Sequence, residues 1–235
     1  MPIRPAALHA LILADGTSAT RAQLDHAWPG WDDGISLVIA ADGGARLAAG
    51  LGVSIDRWVG DGDSLEAEHL ERLRVGGVEI RMARPDKDES DTELALRLAI
   101  EAGAEEATLV GALGGPRLDH ALANIGLLAL AEREGIRARL VDAAVRVSLI
   151  LAPGPGGEPV EAILRGRPGD LVSLLVPGED VEGVTTSGLR YPLAEEPLRS
   201  GPARGLSNVR LTGAARVTVR RGRLLVVESP ATLSP

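Results

Sequence analysis

The sequence contains no cysteine, no phenylalanine and only one tyrosine. The absence of cysteine excludes disulfide bonds, thiolate catalysis and thiolate metal ligands. Aromatic residues make up 2% of the chain and hydrophobic residues 45%, so apolar side chains are plentiful although aromatic rings are scarce. We therefore predict a hydrophobic core built from Leu, Val, Ile and Ala.

The chain also lacks long apolar runs and an excess of positive charge. Its apolar runs are far shorter than the roughly 18 residues of a membrane span, and its first residues show no signal-peptide pattern. The net charge of −8 argues against a general binder of nucleic acids or membranes, but is no obstacle to binding a cation. We expect a soluble cytoplasmic protein without nucleic-acid or membrane partners.

Lysine is nearly absent: Lys87 is the only lysine among the 25 Lys and Arg residues. The guanidinium group of arginine is a planar fork of five donors, whereas the ammonium group of lysine is a compact point charge. In a chain that uses arginine nearly everywhere else, the one lysine indicates a position that suits a point charge. The segment Asp86–Glu93 places five carboxylates in eight residues, which suits a divalent metal and a polyphosphate. The local alternative is a capping box at a helix start, formed by Ser90 and Glu93, and it leaves Lys87 unexplained.

The first part of the chain alternates short apolar runs with helical patterns. The apolar runs predict strands at Leu8–Ala14, Ile35–Ala41, Ile55–Gly60, Val78–Ala83, Ala107–Leu113 and Ala138–Val141. Helical spacing predicts helices near Arg21–Trp28, Gly44–Leu51, Leu65–Val75, Asp91–Ala102 and Leu118–Glu134. This alternation is typical of a mostly parallel sheet between two layers of helices. We predict a three-layer α/β domain over residues 1–144.

Beyond residue 144 the pattern changes to short strands separated by Pro and Gly turns, with no strong helical pattern. The predicted strands are Val145–Leu151, Val160–Leu164, Leu171–Val176, Val209–Thr212, Ala215–Val219 and Arg223–Val227. Such a series is typical of an all-β sandwich or barrel. We predict an all-β domain over residues 145–235.

Polar motifs follow the predicted strands of the first domain. They are Ala41-Asp42-Gly43-Gly44, Gly60-Asp61-Gly62-Asp63-Ser64, Arg84-Pro85-Asp86-Lys87-Asp88 and Gly114-Gly115-Pro116-Arg117-Leu118-Asp119-His120. Ligands of open α/β sheets bind beyond the carboxyl ends of the strands, and helix starts there offer free N–H groups to phosphate oxygens. The motifs therefore predict a ligand site at this edge of the sheet.

Two carboxylates one residue apart, Asp61 and Asp63, follow the third predicted strand. Carboxylates in this arrangement hold Mg²⁺ together with substrate phosphates. The alternative is a turn in which Asp63 or Ser64 caps the next helix. An EF-hand is excluded because the sixth and twelfth positions, counted from Asp61, are Glu66 and Arg72 instead of Gly and Glu. The chain also has no Walker A and no G-x-G-x-x-G sequence.

The scarce residue types fall within polar motifs. The chain has two asparagines, Asn124 and Asn208, and its one tyrosine is Tyr191. Asn124 lies one turn after His120, on the same face of the fifth predicted helix. A lone tyrosine is also a common packing residue, and Asp119 is also favoured at a helix start. The coincidence of scarce residues with polar motifs favours a functional interpretation.

Taken together and in order, these motifs resemble the thiamine pyrophosphokinase (thiamine diphosphokinase) family. In the first domain the resemblance rests on Ala41-Asp42-Gly43-Gly44, Gly60-Asp61-x-Asp63-Ser64, Asp86-Lys87-Asp88-x-Ser90-Asp91-Thr92-Glu93 and Gly114-Gly115-Pro116-Arg117-Leu118-Asp119-His120-x-Leu122-Ala123-Asn124. In the second domain it rests on Ser187-Gly188-Leu189-Arg190-Tyr191-Pro192-Leu193 and Ser207-Asn208.

The resemblance implies an α/β catalytic domain, which binds ATP and Mg²⁺, followed by a β-sandwich that binds thiamine. It implies transfer of the pyrophosphoryl group of ATP to the hydroxyl of thiamine, giving thiamine diphosphate and AMP. It also implies a homodimer whose active sites are shared between the subunits.

The resemblance further assigns roles to residues at matching positions. The metal-binding residues would be Asp61, Asp63 and Asp91. The ATP-binding residues would be Asp42, Gly43, Lys87, Ser90, Arg117, Asp119, His120 and Asn124. The thiamine-binding residues would be Ser187, Leu189, Tyr191, Ser207 and Asn208, with Tyr191 stacking on the pyrimidine. The catalytic set would be Asp61, Asp63, Lys87, Asp91 and Asp119, with either Asp91 or Asp119 accepting the proton.

Three positions depart from the family pattern. Ser90 stands where Thr is usual, Gly62 stands where a larger apolar residue is common, and Pro116 is inserted before Arg117.

Two other functions also suit the residues. One is a different Mg²⁺ enzyme, such as a phosphatase using Asp61 and Asp63 or a nucleotide-sugar transferase. The other is a module that binds Mg-ATP without consuming it.

Overall fold

The computed structural model describes residues 7–231. The chain forms two compact units, which meet in sequence between Ala143 and Ala144. The first residues, in which we expect no signal peptide, lie partly outside the described range. No helix between residues 7 and 231 is long and apolar enough to cross a membrane.

The first unit alternates strands and helices along the chain. Its strands are β1 (His9–Leu13), β2 (Ile35–Ala41), β3 (Arg57–Gly60), β4 (Glu79–Met82), β5 (Glu106–Val110) and β6 (Arg137–Asp142). Its helices are α1 (Arg21–Ala27), α2 (Leu47–Leu51), α3 (Ala67–Val75), α4 (Asp91–Glu101) and α5 (Leu118–Arg133). A 3₁₀ turn, Asp42–Arg46, joins β2 to α2. The strands are parallel and ordered β6-β5-β1-β2-β3-β4.

Helices cover both faces of this sheet. Successive side chains of a strand point to opposite faces, and Leu11 and Leu13 of β1 pack in a cluster with Leu24 of α1, Leu51 of α2 and Leu73 of α3. Helix α4 packs against β1, β2 and β3, and α5 packs against α4 and β6. The predicted α/β fold with a parallel sheet is confirmed.

The core of the first unit differs in composition from the prediction. Trp28, Trp31 and Trp58 are all buried there among the aliphatic residues, so the prediction of a purely Leu, Val, Ile and Ala core is wrong for this unit. Each indole N–H has a hydrogen-bond acceptor: the Asp142 carbonyl for Trp28, the Asp25 carboxylate for Trp31 and the Asp42 carbonyl for Trp58. A satisfied N–H makes burial of a tryptophan ring favourable.

The second unit is an antiparallel β-sandwich, and this prediction is also confirmed. Its strands are β7 (Val145–Ala152), β8 (Val160–Arg165), β9 (Leu171–Leu175), β10 (Val181–Ser187), β11 (Glu196–Leu198), β12 (Asn208–Val209), β13 (Ala214–Val219) and β14 (Gly222–Ser229). One sheet contains the order β12-β9-β14-β7 and the other β11-β10-β13-β8. Side chains from both sheets, such as Val226 of β14 and Val217 of β13, share one apolar cluster.

Two strands of the sandwich, β10 and β11, were not predicted from the sequence pattern. The pairing of β10 with β11 shifts register between Val181 and Val184, so its buried residues do not alternate regularly. A β-bulge of this kind removes the period of two on which strand prediction depends. The predicted strand Val209–Thr212 is instead the short β12, which ends at Val209.

A buried ion network lies within the sandwich. The Arg210 side chain is fully buried and donates to Glu228 at 2.5 Å, and the Glu228 side chain is only 3% exposed. Arg146 donates to the same carboxylate through Nε at 2.8 Å and Nη2 at 2.9 Å. Arg210 also donates to the carbonyl of Leu164. Burying these charges is tolerable only because they neutralise one another.

Glu228→Gln should destabilise the protein by about 3–5 kcal/mol, because the buried guanidinium group of Arg210 and the partly buried one of Arg146 lose their counter-charge. Chemical denaturation followed by circular dichroism measures this change. The matched control is Glu161→Gln, which breaks the exposed pair with Arg216 on the same unit and should cost less than about 1 kcal/mol. Equal effects of the two substitutions would contradict a structural role for the buried network.

Candidate functional site

A cavity lies where the strand order of the first unit reverses. Strand β1 has β2 on one side and β5 on the other, and the chain leaves this point in opposite directions, which opens a crevice at the carboxyl ends of the strands. The cavity measures about 530 Å³ and is lined by the segments after β1, β2 and β5 and by the starts of α4 and α5. The sheet edge predicted from the motifs therefore carries a cavity.

Three carboxylates converge beside this cavity. Oxygen atoms of Asp42, Asp61 and Asp63 lie within 4.8 Å of one another. Asp42 is 2% exposed, its Oδ2 accepts from the Ser64 N–H at 3.2 Å, and its Oδ1 is buried without a hydrogen-bond partner. Burial raises the pKa of the Asp42 carboxyl, and the charge of Asp91 adds to this shift.

This donor set fits a hard divalent cation. A buried carboxylate oxygen without a partner is unfavourable unless a cation or donor satisfies it. Mg²⁺ is bound in proteins by one or two carboxylates together with phosphate oxygens and water. Asp42, Asp61 and Asp63 could supply carboxylate oxygens of this type. The sequence interpretation had placed Asp42 with the nucleotide and Asp91 with the metal.

The segment Asp61–Ser64 is a turn held by its own side chains. The Asp63 N–H donates to Asp61 Oδ1 at 3.1 Å, and the Ser64 hydroxyl donates to Asp63 Oδ1 at 2.9 Å. The Asp63 N–H, assisted by Lys87, lowers the pKa of the Asp61 carboxyl. The alternative in which Asp63 or Ser64 caps a helix is wrong, because α3 begins at Ala67 after Glu66 and no side chain caps it.

Gly62 has a backbone conformation that explains its departure from the family pattern. Its φ angle is 81°, in the left-handed region that disfavours residues with a Cβ by roughly 1–2 kcal/mol. The neighbouring Met82 and Trp58 side chains leave room for a Cβ, so the requirement for glycine comes from the backbone. This turn brings Asp61 and Asp63 to the same side.

Lys87 lies between Asp61 and a further carboxylate, that of Asp91. Its Nζ lies 3.3 Å from Asp61 Oδ2 and 3.1 Å from Asp91 Oδ1, and the lysine side chain is 13% exposed. Burial alone would lower the pKa of Lys87, but the carboxylates of Asp91 and Asp61 outweigh burial and raise it. Lys87 is therefore a protonated point charge between strand β3 and helix α4. Asp86 points elsewhere, since it pairs with Arg84 on the surface.

Helix α4 begins as the capping interpretation predicts, but with half of the capping box. Ser90 Oγ accepts from the Glu93 N–H at 3.1 Å. The Glu93 carboxylate does not complete the box in the described structure, because it accepts from Arg97 at 2.7 Å. Asp91 and Ser90 both line the large cavity. The segment therefore starts a helix and also contributes to the cavity wall.

The start of α5 forms the opposite wall of the cavity. Arg117 donates to Asp119 through Nε at 2.9 Å and Nη2 at 2.6 Å, and these bonds lower the pKa of Asp119 to about 2. Asn124 is buried and donates to the carbonyl of Ala112 at 2.8 Å, which ties α5 to the segment after β5. Arg117, Asp119, Asn124 and His120 all line the cavity, and Arg117 and Asp119 are exposed.

The sequence analysis missed the segment that follows β1. Asp15, Gly16 and Thr17 line the large cavity, yet they belong to no motif identified above. The rule that ligands bind beyond the carboxyl ends of strands would have found them if it had been applied to the first predicted strand, Leu8–Ala14. Gly43 and Lys87, in contrast, were predicted as nucleotide ligands and do not line this cavity.

A second, smaller cavity of about 240 Å³ lies in the sandwich. Tyr191 and Asn208 line it, together with Leu174, Pro192, Leu193, Arg204, Gly205 and Leu206. Asn208 Oδ1 accepts from the Tyr191 N–H at 3.0 Å and Asn208 Nδ2 donates to the Tyr191 carbonyl at 2.7 Å. The Asn208 amide thus holds the backbone of Tyr191 on both sides, while the residue Tyr191 remains 64% exposed.

The other predicted residues of the second domain are not among the residues that line this cavity. Leu189 is buried in the sandwich core, and Ser187 is exposed at the end of β10. Ser207 is exposed, has a positive φ of 56°, and donates its backbone N–H to Ser173 Oγ at 3.0 Å. The structure therefore brings together Tyr191 and Asn208 but not all five predicted positions.

Two family models match the chain. The model described as "Thiamin pyrophosphokinase, catalytic domain" matches residues 31–140. The model described as "Thiamin pyrophosphokinase, vitamin B1 binding domain" matches residues 162–224. The first match contains the acidic cluster and Lys87, and the second contains Tyr191 and Asn208.

Individual proteins show the same similarity. The thiamine pyrophosphokinase of Bacillus subtilis (strain 168) is 26% identical over 200 residues, which cover 85% of this chain and 90% of that protein. The crystal structure of thiamine pyrophosphokinase from Bacillus subtilis superposes with a TM-score of 0.79 at 25% identity, covering 94% of this chain and 99% of that one. The corresponding structure from Geobacillus thermodenitrificans superposes with a TM-score of 0.76 at 25% identity, covering 94% and 97%.

Proposed function

Because the chain belongs to the thiamine pyrophosphokinase family of enzymes, we propose that it transfers the pyrophosphoryl group of ATP to the hydroxyl of thiamine, giving thiamine diphosphate and AMP. The resemblance predicted from the sequence is confirmed at the level of the family. The observation that best supports this reaction is the convergence of Asp42, Asp61 and Asp63 beside a cavity at the switch point of the sheet.

The first part of the site would hold Mg²⁺ and the phosphates of ATP. The residues that would hold the cation are Asp42, Asp61 and Asp63. Asp91 is linked to this cluster by Lys87, whose Nζ contacts both Asp61 and Asp91. When bound, Mg²⁺ neutralises phosphate charge and reverses the sign of an otherwise repulsive acidic site. Lys87 would add a point charge for the phosphates.

The walls of the large cavity would hold the rest of ATP. The starts of α4 and α5 supply free backbone N–H groups and the positive ends of two helix dipoles. Asp42, Ser90, Arg117, Asp119, His120 and Asn124 line this cavity, which supports their assignment to the nucleotide. Gly43 would act through its backbone. Residues 1–144 would thus form the catalytic domain, which binds ATP and Mg²⁺.

The chemical step exchanges one P–O bond for another. The thiamine hydroxyl oxygen attacks the β-phosphorus, the bond from that phosphorus to the oxygen bridging it to the α-phosphorus breaks, and AMP leaves with the bond electrons. Catalysis of such transfer depends mainly on positioning and charge neutralisation. A carboxylate would accept the hydroxyl proton. That carboxylate would be either Asp91, which lies 3.1 Å from Lys87, or Asp119, whose pKa Arg117 lowers to about 2.

The sandwich, residues 145–235, would bind thiamine at the smaller cavity. Thiamine carries a positive charge, and the exposed ring of Tyr191 supplies a π face that is worth roughly 0.5–2 kcal/mol to a cation. Asn208 supports this role indirectly, since it fixes the Tyr191 backbone. Ser187, Leu189 and Ser207 remain predicted thiamine-binding positions on the grounds of family resemblance.

The reaction products distinguish this proposal from its rivals. Incubation with Mg-ATP, with and without thiamine, should give AMP and thiamine diphosphate only when thiamine is present. Asp63→Asn should lower turnover at least about 100-fold, because it removes a charged ligand at the point where phosphate charge is neutralised. The control Asp86→Asn alters an exposed carboxylate that pairs with Arg84 and should change turnover less than about twofold.

Other product patterns would overturn the proposal. Thiamine-independent release of phosphate would indicate a phosphatase, ADP formation would indicate an ordinary kinase, and binding of Mg-ATP without turnover would indicate a binding module. Full activity of Asp63→Asn with Mg²⁺ would remove Asp63 from the cation site.

Tyr191→Ala should raise the KM for thiamine about tenfold, which corresponds to the loss of an aromatic stacking contact of about 1.4 kcal/mol. The KM for ATP should stay the same. Tyr191→Phe is the matched control, because it keeps the ring and removes only the hydroxyl. Steady-state kinetics with each substrate varied in turn measures both constants. A change confined to the KM for ATP would contradict the assignment.

We also propose that the enzyme is a homodimer with shared active sites. Helix α5 leaves two large apolar side chains in solvent one turn apart, Leu118 at 70% and Leu122 at 59% exposure, and a contiguous exposed apolar patch is one mark of an association surface. Sedimentation velocity should give twice the chain mass of 24.4 kDa, and Leu122→Glu should shift the protein toward the monomer. A wild-type monomer at assay concentration would contradict the dimer.

A further inference from the structure

Arg46, the last residue of the 3₁₀ turn, joins two segments that border the large cavity. Its Nη1 donates to the backbone carbonyl of Ser64, in the segment after β3. Its Nη2 donates to Asp15 Oδ1 at 2.5 Å, in the segment after β1. Asp15 and Ser64 both line the cavity, whereas Arg46 does not. One guanidinium group outside the cavity lining therefore connects two parts of its wall.

The 3₁₀ turn holds both the backbone N–H and the backbone carbonyl of Ser64. Asp42, the first residue of the turn, accepts the Ser64 N–H at 3.2 Å. Arg46, the last residue of the turn, donates to the Ser64 carbonyl. Ser64 in turn donates its hydroxyl to Asp63 at 2.9 Å. The position of Asp63 relative to Asp42 thus depends on two contacts made by one short turn.

The ion pair of Arg46 and Asp15 lies directly against Gly43, although the two side chains are 50% and 40% exposed. A Cβ atom on Gly43 would collide with Arg46 Nη2 and Asp15 Oδ1, so the glycine permits the ion pair to lie against the turn. Burial raises the pKa of Asp15, and the charges of Asp63 and Asp91 add to this shift although Arg46 opposes it. Arg46 therefore also offsets a carboxylate that lies close to the acidic cluster.

We propose that Arg46 is a positioning residue that sets the affinity of the site for its divalent cation. Its guanidinium group fixes Ser64 and Asp15 in the arrangement in which Asp42, Asp61 and Asp63 converge. Arg46 touches neither substrate nor cation in this role. This inference rests on the proposed function in one respect, namely that the cation belongs to a pyrophosphoryl-transfer site.

The geometry requires an arginine at this position. The two acceptors, a carbonyl and a carboxylate, belong to different segments, and a planar fork reaches both at once. A lysine carries the same charge at a single nitrogen on a flexible stem, so both acceptors would have to approach one atom, as Asp61 and Asp91 approach Lys87 Nζ, and would lose the spacing set by the two guanidinium nitrogens. Arg46→Lys therefore separates the geometric role of the side chain from its charge.

The sign of the effect separates positioning from simple electrostatics. Removal of a positive charge near a cation site should tighten cation binding if charge alone matters. Loss of positioning should weaken it, because the carboxylates no longer converge. Arg46→Ala therefore gives opposite results under the two interpretations.

The experiment measures Mn²⁺ binding by electron paramagnetic resonance of the free ion, without ATP or thiamine. We expect the Kd for Mn²⁺ to rise at least about tenfold in Arg46→Lys and Arg46→Ala, a factor of ten corresponding to about 1.4 kcal/mol. Millimolar methylguanidinium should restore part of the Mn²⁺ affinity of Arg46→Ala. No such rescue is expected if the substitution acts by lowering the stability of the whole protein. The control Arg74→Lys changes an exposed arginine paired with Glu71 and should bind Mn²⁺ like the wild type.

Several outcomes would overturn the role of Arg46. One is unchanged or tighter Mn²⁺ binding in Arg46→Lys and Arg46→Ala. Another is Mn²⁺ binding by the wild-type protein that does not change when Asp63 is replaced by Asn, or no Mn²⁺ binding at all. If Arg46→Ala does not fold, Arg46→Lys still decides, since it keeps charge and most of the side chain. The titration needs no turnover, so a failure to form thiamine diphosphate would overturn the proposed function and leave the Arg46 result standing.

Discussion

Repulsion among aspartates gathered at one edge of a parallel sheet is the constraint on which the first unit depends. Two unit charges 4 Å apart interact by about 1 kcal/mol in water and by about 4 kcal/mol near a protein surface. The folded chain keeps oxygen atoms of Asp42, Asp61 and Asp63 within 4.8 Å of one another. Every neighbouring donor described above, from Lys87 to the backbone N–H groups of the Asp61–Ser64 turn, offsets part of that repulsion.

The offsetting groups come from different parts of the fold, so each ties one segment to another. Lys87 connects the turn after β3 to the start of α4. Arg46 connects the same turn to the segment after β1. Asp42 itself has a positive φ of 42°, an unfavourable conformation for a residue with a side chain, and its carbonyl is held by the buried Trp58. Strain of this kind persists only where surrounding contacts over-determine it.

The same principle appears in the sandwich with a different result. There two cations, Arg210 and Arg146, share the buried carboxylate of Glu228, so this network ties strands together instead of bordering a cavity. At the surface of the unit, Asn208 uses its amide to hold Tyr191 and leaves the ring free. In the acidic cluster, Asp42 Oδ1 is buried without a hydrogen-bond partner, as Arg210 Nε is in the sandwich. Beside a cavity and two further carboxylates, an oxygen of this kind is the property expected of a group awaiting a cation.

Local sequence patterns were sufficient to predict the α/β unit, the change to a β-sandwich and the strand-end motifs that carry the site. Hydrophobic period and turn residues are properties of neighbouring positions, so the sequence determines them directly. These patterns failed to predict β10, in which a shifted register disrupts the regular alternation of buried and exposed residues. They also failed to predict the burial of the three tryptophans, since the acceptors of the Trp28 and Trp58 indoles lie far away in the sequence.

The sequence by itself determined which residue types stand at the ends of the strands, and the ordered set of motifs determined the family. Only the tertiary structure decided which of them meet. Asp42 joins Asp61 and Asp63 because β2 and β3 are adjacent and parallel, and Arg46 reaches Asp15 because β1 is the other neighbour of β2. Strand order is a long-range property that no local pattern encodes, and it sets the distances on which charge, metal binding and catalysis depend.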